Sequence, residues 1–238
     1  MITFNPAYNN LNFKSYQHAI LDKSGAVINR GDTCFFRWDL DFIQLINYLE
    51  KKYAGCDSVN IIAHASSVGE EIYSFAATLI KMLGKNRAMK YLPAHAYDIE
   101  QHHIDIAKRG EYRIKSFEKG SIDYYLGCYF NNYFDILNTD RVKVRPELQD
   151  LVKFSRSDIL DDVKTMNFDN TVLFARNFWR YLDEEDADKL AMNLAYRMNK
   201  SSTLIIGDFD KQFNVDRILN NYGFKESGIV ENVFENFK

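Results

Sequence analysis

A doubly wound α/β sheet, mostly parallel with helices on both faces, is the architecture this chain predicts, and three observations predict it. Short apolar runs alternate with stretches of helical periodicity along most of the 238 residues, the pattern of strands joined by crossover helices. Glu70, Asp98, Asp158 and Asn177 each fall just after an apolar run, where open α/β sheets bind their ligands. One segment, 111–151, breaks the alternation and reads as an insert with its own small sheet.

Residues 39–53 place Phe42, Ile43, Leu45, Ile46 and Leu49 at helical spacing. Residues 58–65 read as a buried strand. A helix follows over 70–83, with Ile72, Phe75, Ala76, Leu79, Ile80 and Leu83 on one face and Gly84 as its stop. Residues 91–96 form a second strand, ending at Asp98. A short helix over 99–108 closes at Gly110. Residues 152–155 precede Asp158. A strand over 171–175 leads to a helix over 184–198, which turns Leu190, Ala191, Leu194 and Met198 inward. A strand over 203–206 stops at Gly207.

The insert is rich in Tyr and Phe and carries turn signals at Asn131-Asn132 and Asn138-Thr139-Asp140. It ends in Arg141-Val142-Lys143-Val144-Arg145, the period of a half-exposed strand. Alternation puts Arg141, Lys143 and Arg145 on one face. Two readings stand here. The strip docks an acidic segment added as a strand, or it is a solvated edge whose charges discourage aggregation.

Composition bounds the rest. The length fits one large domain, or one domain with a small insert, and 46% hydrophobic residues suffice for a core. A net charge of −3 without a long basic run does not suggest a nucleic-acid partner. Cys34, Cys56 and Cys128 are odd in number and far apart, against a disulfide framework or a zinc site and in favour of a reducing, cytoplasmic setting. His64, His95, His102 and His103 lack a fourth partner at ligand spacing, so no metal is expected. His102 and His103 read as a solvated helix face. Residues 1–10 lack the apolar core of a signal peptide, and no run reaches the length of a membrane span.

The turn Ala65-Ser66-Ser67-Val68-Gly69-Glu70-Glu71 carries the most chemical information. A phosphate site would favour several glycines and no negative charge. This turn has one glycine and two acids. It suits a ligand bringing hydroxyls or a cationic amine, and S-adenosylmethionine is such a ligand. The competing reading is that both glutamates only favour the helix dipole. Asp98 has two readings as well: acceptor for ribose hydroxyls, or cap of the next helix. Asp158 is either an acceptor from an adenine amino group or a loop cap. Tyr181 lies four residues after Asn177 and shares its face if the turn is helical.

These blocks resemble the CheR-type chemoreceptor glutamate methyltransferases. Gly31-Asp32-Thr33-Cys34-Phe35-Phe36-Arg37 resembles the family's N-E-T-x-F-F-R. Residues 65–74 resemble C/A-S-T-G-E-E-P-Y-S. Ala96-Tyr97-Asp98-Ile99-Glu100, with Ala107 and Gly110-Glu111-Tyr112, resembles A-x-D-I-D followed by A-x-x-G-x-Y. Arg176-Asn177 with Tyr181-Leu182 resembles R-N-V-x-I-Y-F, and Ile205-Ile206-Gly207 resembles the L-x-x-G strand. Five blocks stand in the right order and spacing.

The resemblance implies a Rossmann-like class I methyltransferase domain over 29–238, with a small antiparallel subdomain inserted at about 111–151 and residues 1–28 as an extension. It implies S-adenosyl-L-methionine as cofactor, with S-adenosyl-L-homocysteine as product. Thr33, Arg37, Ala65, Glu70, Asp98, Asp158, Ile159, Ala175, Arg176 and Asn177 would line the cofactor, and Arg37 and Tyr181 would face the reacting groups. The implied acceptor is a protein glutamate, as on a chemoreceptor cytoplasmic domain. A non-catalytic cofactor-binding module and a methyltransferase with another acceptor are the alternatives. Departures are Gly31 for the family's Asn, Val68 for Thr, Ile72 for Pro, and Asp210 near where Glu is common. The 30 residues before Gly31 are too few for the helical domain that precedes the first block in the family.

Overall fold

The computed structural model describes residues 33–237; the Gly31 departure and the 1–28 extension lie outside them. Helix α1 (Phe42–Lys52) leads into β1 (Asn60–His64), α2 (Glu70–Leu83), the short α3 (Lys85–Ala88), β2 (Ala94–Asp98) and α4 (Gln101–Arg109). The insert follows, with β3 (Glu111–Arg113), α5 (Ser121–Tyr125), β4 (Phe134–Ile136), β5 (Arg141–Val144) and α6 (Pro146–Gln149). The main sheet resumes with β6 (Val152–Arg156), α7 (Ile159–Asp162), β7 (Thr171–Ala175), α8 (Glu184–Arg197) and β8 (Thr203–Ile205). Helices α9 (Asp208–Lys211) and α10 (Val215–Asn221) precede the hairpin of β9 (Phe224–Glu226) and β10 (Val233–Asn236).

Several boundaries differ from expectation for local reasons. Helix α1 begins at Phe42 because the Asp41 carboxylate caps it, accepting from the Ile43 and Gln44 amides. Strand β2 begins at Ala94 because Pro93 has no amide to pair. Helix α4 begins at Gln101 because Asp98 accepts from the Glu100 amide and Glu100 stays extended.

The seven-stranded sheet runs β6-β2-β1-β7-β8-β10-β9. Strands β6, β2, β1, β7 and β8 are parallel, and β10 is antiparallel to both neighbours. The chain moves outward from β1 to β2 and β6, then returns to β7 on the other side of β1. That reversal opens a crevice at the carboxyl ends of β1 and β7. Alternate residues of β7 serve the two faces: Val172 and Phe174 meet the core under α1, α2 and α4, while Leu173 and Ala175 meet the core under α8 and α10. Both faces being covered explains the continuous apolar run.

The insert forms a three-stranded antiparallel sheet in the order β3-β5-β4. Its core is aromatic and continuous with that of the main sheet. Phe35 stacks on Phe117 at 4.4 Å and meets Phe134 edge-on at 5.2 Å. Burial of Phe35 and Phe36 fixes the segment that carries Arg37. Two expectations for the basic strip are corrected. Strand β5 is central and already paired on both sides, so no peptide can add to it as a strand. Arg145 lies beyond β5 as the N-cap of α6. Lys143 pairs with Glu111 at 3.1 Å and Arg145 with Asp135 at 2.7 Å. Exposed pairs of this kind are worth about 0–1 kcal/mol, but they cancel much of the strip's charge. Among the three, Arg141 keeps an exposed side chain without an ion pair among the described residues.

Candidate functional site

The carboxyl ends of β1, β2, β6 and β7 open onto one cleft, and their registers are level: His64 is opposite both Tyr97 and Ala175, and Asp98 is opposite Arg156. One wall is the turn after β1. Ala65 and Ser67 adopt positive φ of 53° and 49°, a conformation that costs non-glycine residues of order 1 kcal/mol or more. Three hydrogen bonds hold it. The Ser66 amide donates to the Tyr97 carbonyl at 2.9 Å, the Ser67 amide to the Asp98 carboxylate at 2.7 Å, and the Gly69 amide to the Ser66 carbonyl at 3.0 Å. Gly69 has φ 89°, and a Cβ there would stand 2.7 Å from the Phe154 ring.

The opposite wall is the turn after β7. Arg176 is buried and ion-paired with Glu71 and with Asp39, the latter at 2.9 Å. Arg37 also reaches Asp39, at 3.2 Å. Burial opposes the Asp39 charge, yet Arg176 and Arg37 hold its carboxyl below the usual carboxylate range. Asn177 has φ 61°. Its amide donates to the Asp210 carboxylate at 2.6 Å, and the Gly207 amide donates to the same oxygen at 2.7 Å. Burial pushes Asp210 up to about 6, against the pull of those two amides. Gly207 carries no side chain because a Cβ would lie 2.0 Å from Asn177 Oδ1.

Between the walls, Asp98 accepts from the Glu100 amide at 2.9 Å and contacts His103 Nδ1 at 3.2 Å. The bond to Asp98 raises the His103 imidazole, with burial opposing. His103 therefore faces the cleft, a correction to its expected solvated position; His102 is exposed. Asp158 caps α7 through the Leu160 amide at 2.9 Å and lines the cleft beside Ile159. Burial drives His64 down to about 3, so it is neutral.

Of the residues singled out in the sequence, Thr33, Arg37, Ala65, Asp98, Asp158, Ile159, Arg176, Asn177 and Tyr181 line this cleft. Glu70 and Ala175 do not. Glu70 is 2% exposed and turns toward Thr33 and Ser116, while its neighbour Glu71 faces the cleft. Ala175 is buried beneath the turn, and its carbonyl accepts from the Trp179 indole at 2.8 Å. Ser66 and Ser67, in the turn already read as a ligand wall, line the site as well, and His103, Arg180 and Phe209 line it without having been singled out for it. The sequence signal of these last three is only nearness to a strand end.

The donor set fits a neutral-to-cationic nucleoside. Ser66 Oγ, Ser67 Oγ and Asn177 Oδ1 are buried polar atoms without hydrogen-bond partners among the described residues, and all three residues line the cleft. Such atoms are costly unless a ligand satisfies them. Hydroxyls, an adenine edge and an ammonium group offer the matching partners, and no glycine-rich phosphate cradle is present in the 65–71 turn.

The fold and this acid-lined cleft define a methyltransferase domain. Residues 31–226 match the model of the CheR methyltransferase, SAM binding domain. The chain belongs to that family, and its cofactor is S-adenosyl-L-methionine. It is 27% identical over 189 residues to a chemotaxis protein methyltransferase of Borreliella burgdorferi, covering 76% of this chain and 64% of that protein. It is 25% identical over 199 residues to a chemotaxis protein methyltransferase of Listeria innocua, covering 82% and 71%. The chain thus spans just under two thirds of the first relative's length. Among solved structures, a Synechocystis magnesium protoporphyrin IX methyltransferase with bound SAM is similar at 12% identity, with a TM-score of 0.41 over 77% of this chain and 67% of that one.

Asp98→Ala is expected to weaken S-adenosylhomocysteine binding by about 1.5–3 kcal/mol, the scale of a hydrogen bond to a charged group. The same change frees the Ser67 amide, so both effects act in one direction. Titration calorimetry with unchanged affinity in the variant would remove Asp98 from the site.

Proposed function

We propose that the chain transfers a methyl group to a glutamate side chain of a protein acceptor, with a chemoreceptor cytoplasmic domain as the acceptor its relatives' names point to. The observation that carries the reading is one cleft holding the Asp98 and Asn177 strand ends together with Arg37 and Tyr181. Bound S-adenosylmethionine supplies an electrophilic methyl on a sulfonium. A glutamate is ionised at neutral pH, so its oxygen attacks without a general base. The protein's task is placement, which is worth up to about 7–11 kcal/mol. Asp98 and the 65–67 turn position the cofactor's polar groups. Arg37, tethered by Asp39, and Tyr181 orient the reacting groups.

The test is transfer of labelled methyl to a purified chemoreceptor cytoplasmic fragment, read as base-labile esters. Cofactor binding with no base-labile product on any carboxylate acceptor would select a non-catalytic module. Base-stable methylation would select another acceptor chemistry. Tyr181→Phe is expected to lower kcat roughly tenfold while leaving S-adenosylhomocysteine affinity within twofold, about the effect of one hydrogen bond. Unchanged kcat would exclude the hydroxyl from the reaction.

Among the described residues no helix is long and apolar enough to cross a membrane.

A further inference from the structure

Three arginines line the cleft, and two of them are committed to acids. Arg176 is held by Glu71 and Asp39, and Arg37 by Asp39. Arg180 differs. Its side chain makes no ion pair with an acid among the described residues, and its Nε is buried without a partner. One terminal nitrogen donates to the Tyr181 hydroxyl at 2.7 Å. The guanidinium lies over the Tyr181 ring at 4.8 Å and the Phe209 ring at 5.8 Å. A guanidinium carries five donors in a planar fork, and a phenol occupies one.

Contact with the two rings holds the guanidinium in place without neutralising its charge. An arginine that is half-buried, packed on two rings and without a counter-ion among the described residues is a receptor for a planar anion, and a carboxylate matches its fork. The neighbouring acids do not take up the charge. Asp39 and Glu71 are paired elsewhere, and Asp210 accepts backbone amides.

We infer that Arg180, oriented by Tyr181 and Phe209, binds the carboxylate of the acceptor glutamate and selects it over the glutamine form. The inference rests on reading the acceptor as a carboxylate. Binding to Arg180 would leave the second carboxylate oxygen free to attack, and a neutral amide would leave the guanidinium unpaired. Uncompensated burial of that kind is what makes polar discrimination strong.

The test needs no turnover, so it stands apart from the methyl-transfer assay. Glutarate and glutaramide serve as probes, titrated by ligand-observed NMR into protein loaded with S-adenosylhomocysteine. Wild type is expected to bind glutarate at least tenfold more tightly than glutaramide. Arg180→Met is expected to lose at least tenfold in glutarate affinity, with S-adenosylhomocysteine affinity unchanged, and Arg180→Lys to regain part of the loss. Equal binding of glutarate and glutaramide by wild type, or equal glutarate binding by wild type and Arg180→Met, would overturn the inference. So would a loss of S-adenosylhomocysteine affinity in Arg180→Met without a loss for methylthioadenosine, which assigns Arg180 to the cofactor's own carboxylate.

Discussion

Arg176→Met is expected to destabilise the protein by about 3–5 kcal/mol, the range for removing one partner of a buried ion pair. Arg176 sits between two elements distant in sequence: Glu71 opens α2, and Asp39 precedes α1. Its Nε also donates to the Ile206 carbonyl at 3.3 Å, reaching the end of β8. Methionine fills most of the volume and leaves two half-buried carboxylates without their shared cation. Asp39 keeps Arg37, but Glu71 loses the charge that offsets its burial, which already raises its carboxyl. For a domain of this size the loss corresponds to a fall in Tm of roughly 6–20 °C. Urea denaturation gives the direct value. The double variant Arg176→Met with Glu71→Gln should recover part of the loss, because it removes the stranded charge. A single-variant loss below about 1 kcal/mol would mean that water reaches Glu71 and that the pair is not a keystone of the cleft.

Where the sequence was legible, one residue set decided the outcome locally. Helix α2 runs Glu70–Leu83 and β7 runs Thr171–Ala175, both as the apolar periodicity predicts. Asp98, Asp158 and Asn177 reach the cleft because a strand end fixes where the next residue goes. What the sequence hid depends on partners far along the chain. Glu71 and Arg176 are 105 residues apart, and nothing in either segment names the other. The choice between Glu70 and Glu71 is a matter of helix phase. Neighbouring residues point about 100° apart, and only the packing of α2 decides which acid meets the cleft. Period-2 alternation gave the faces of β5 correctly, with Val142 and Val144 buried, but alternation is the same for a central strand and an edge.

Glu70 itself supplies the other large expected effect, a pH dependence of stability. Burial pushes its carboxyl up to about 8, against hydrogen bonds from Ser116 and Thr33 and the nearby charge of Arg37. The folded protein therefore keeps this group protonated where the unfolded chain has already released the proton near the ordinary value of 4.5. The contribution is fully present below about pH 4.5 and is lost as pH rises through about 8, by up to about 5 kcal/mol at 1.36 kcal/mol per unit. Glu70→Gln mimics the protonated form and should lack this loss. The variant should be the more stable protein at about pH 8, with the difference vanishing near pH 4.5. Denaturation curves across that window check it, and parallel stability profiles for the two proteins would sink the idea. Binding should report the same group. Thr33 lines the cleft and hydrogen-bonds Glu70, so the ammonium of S-adenosylhomocysteine entering beside it would favour the carboxylate and release its proton. Calorimetry near neutral pH in buffers of different ionisation heat should then find proton release in wild type and none in Glu70→Gln.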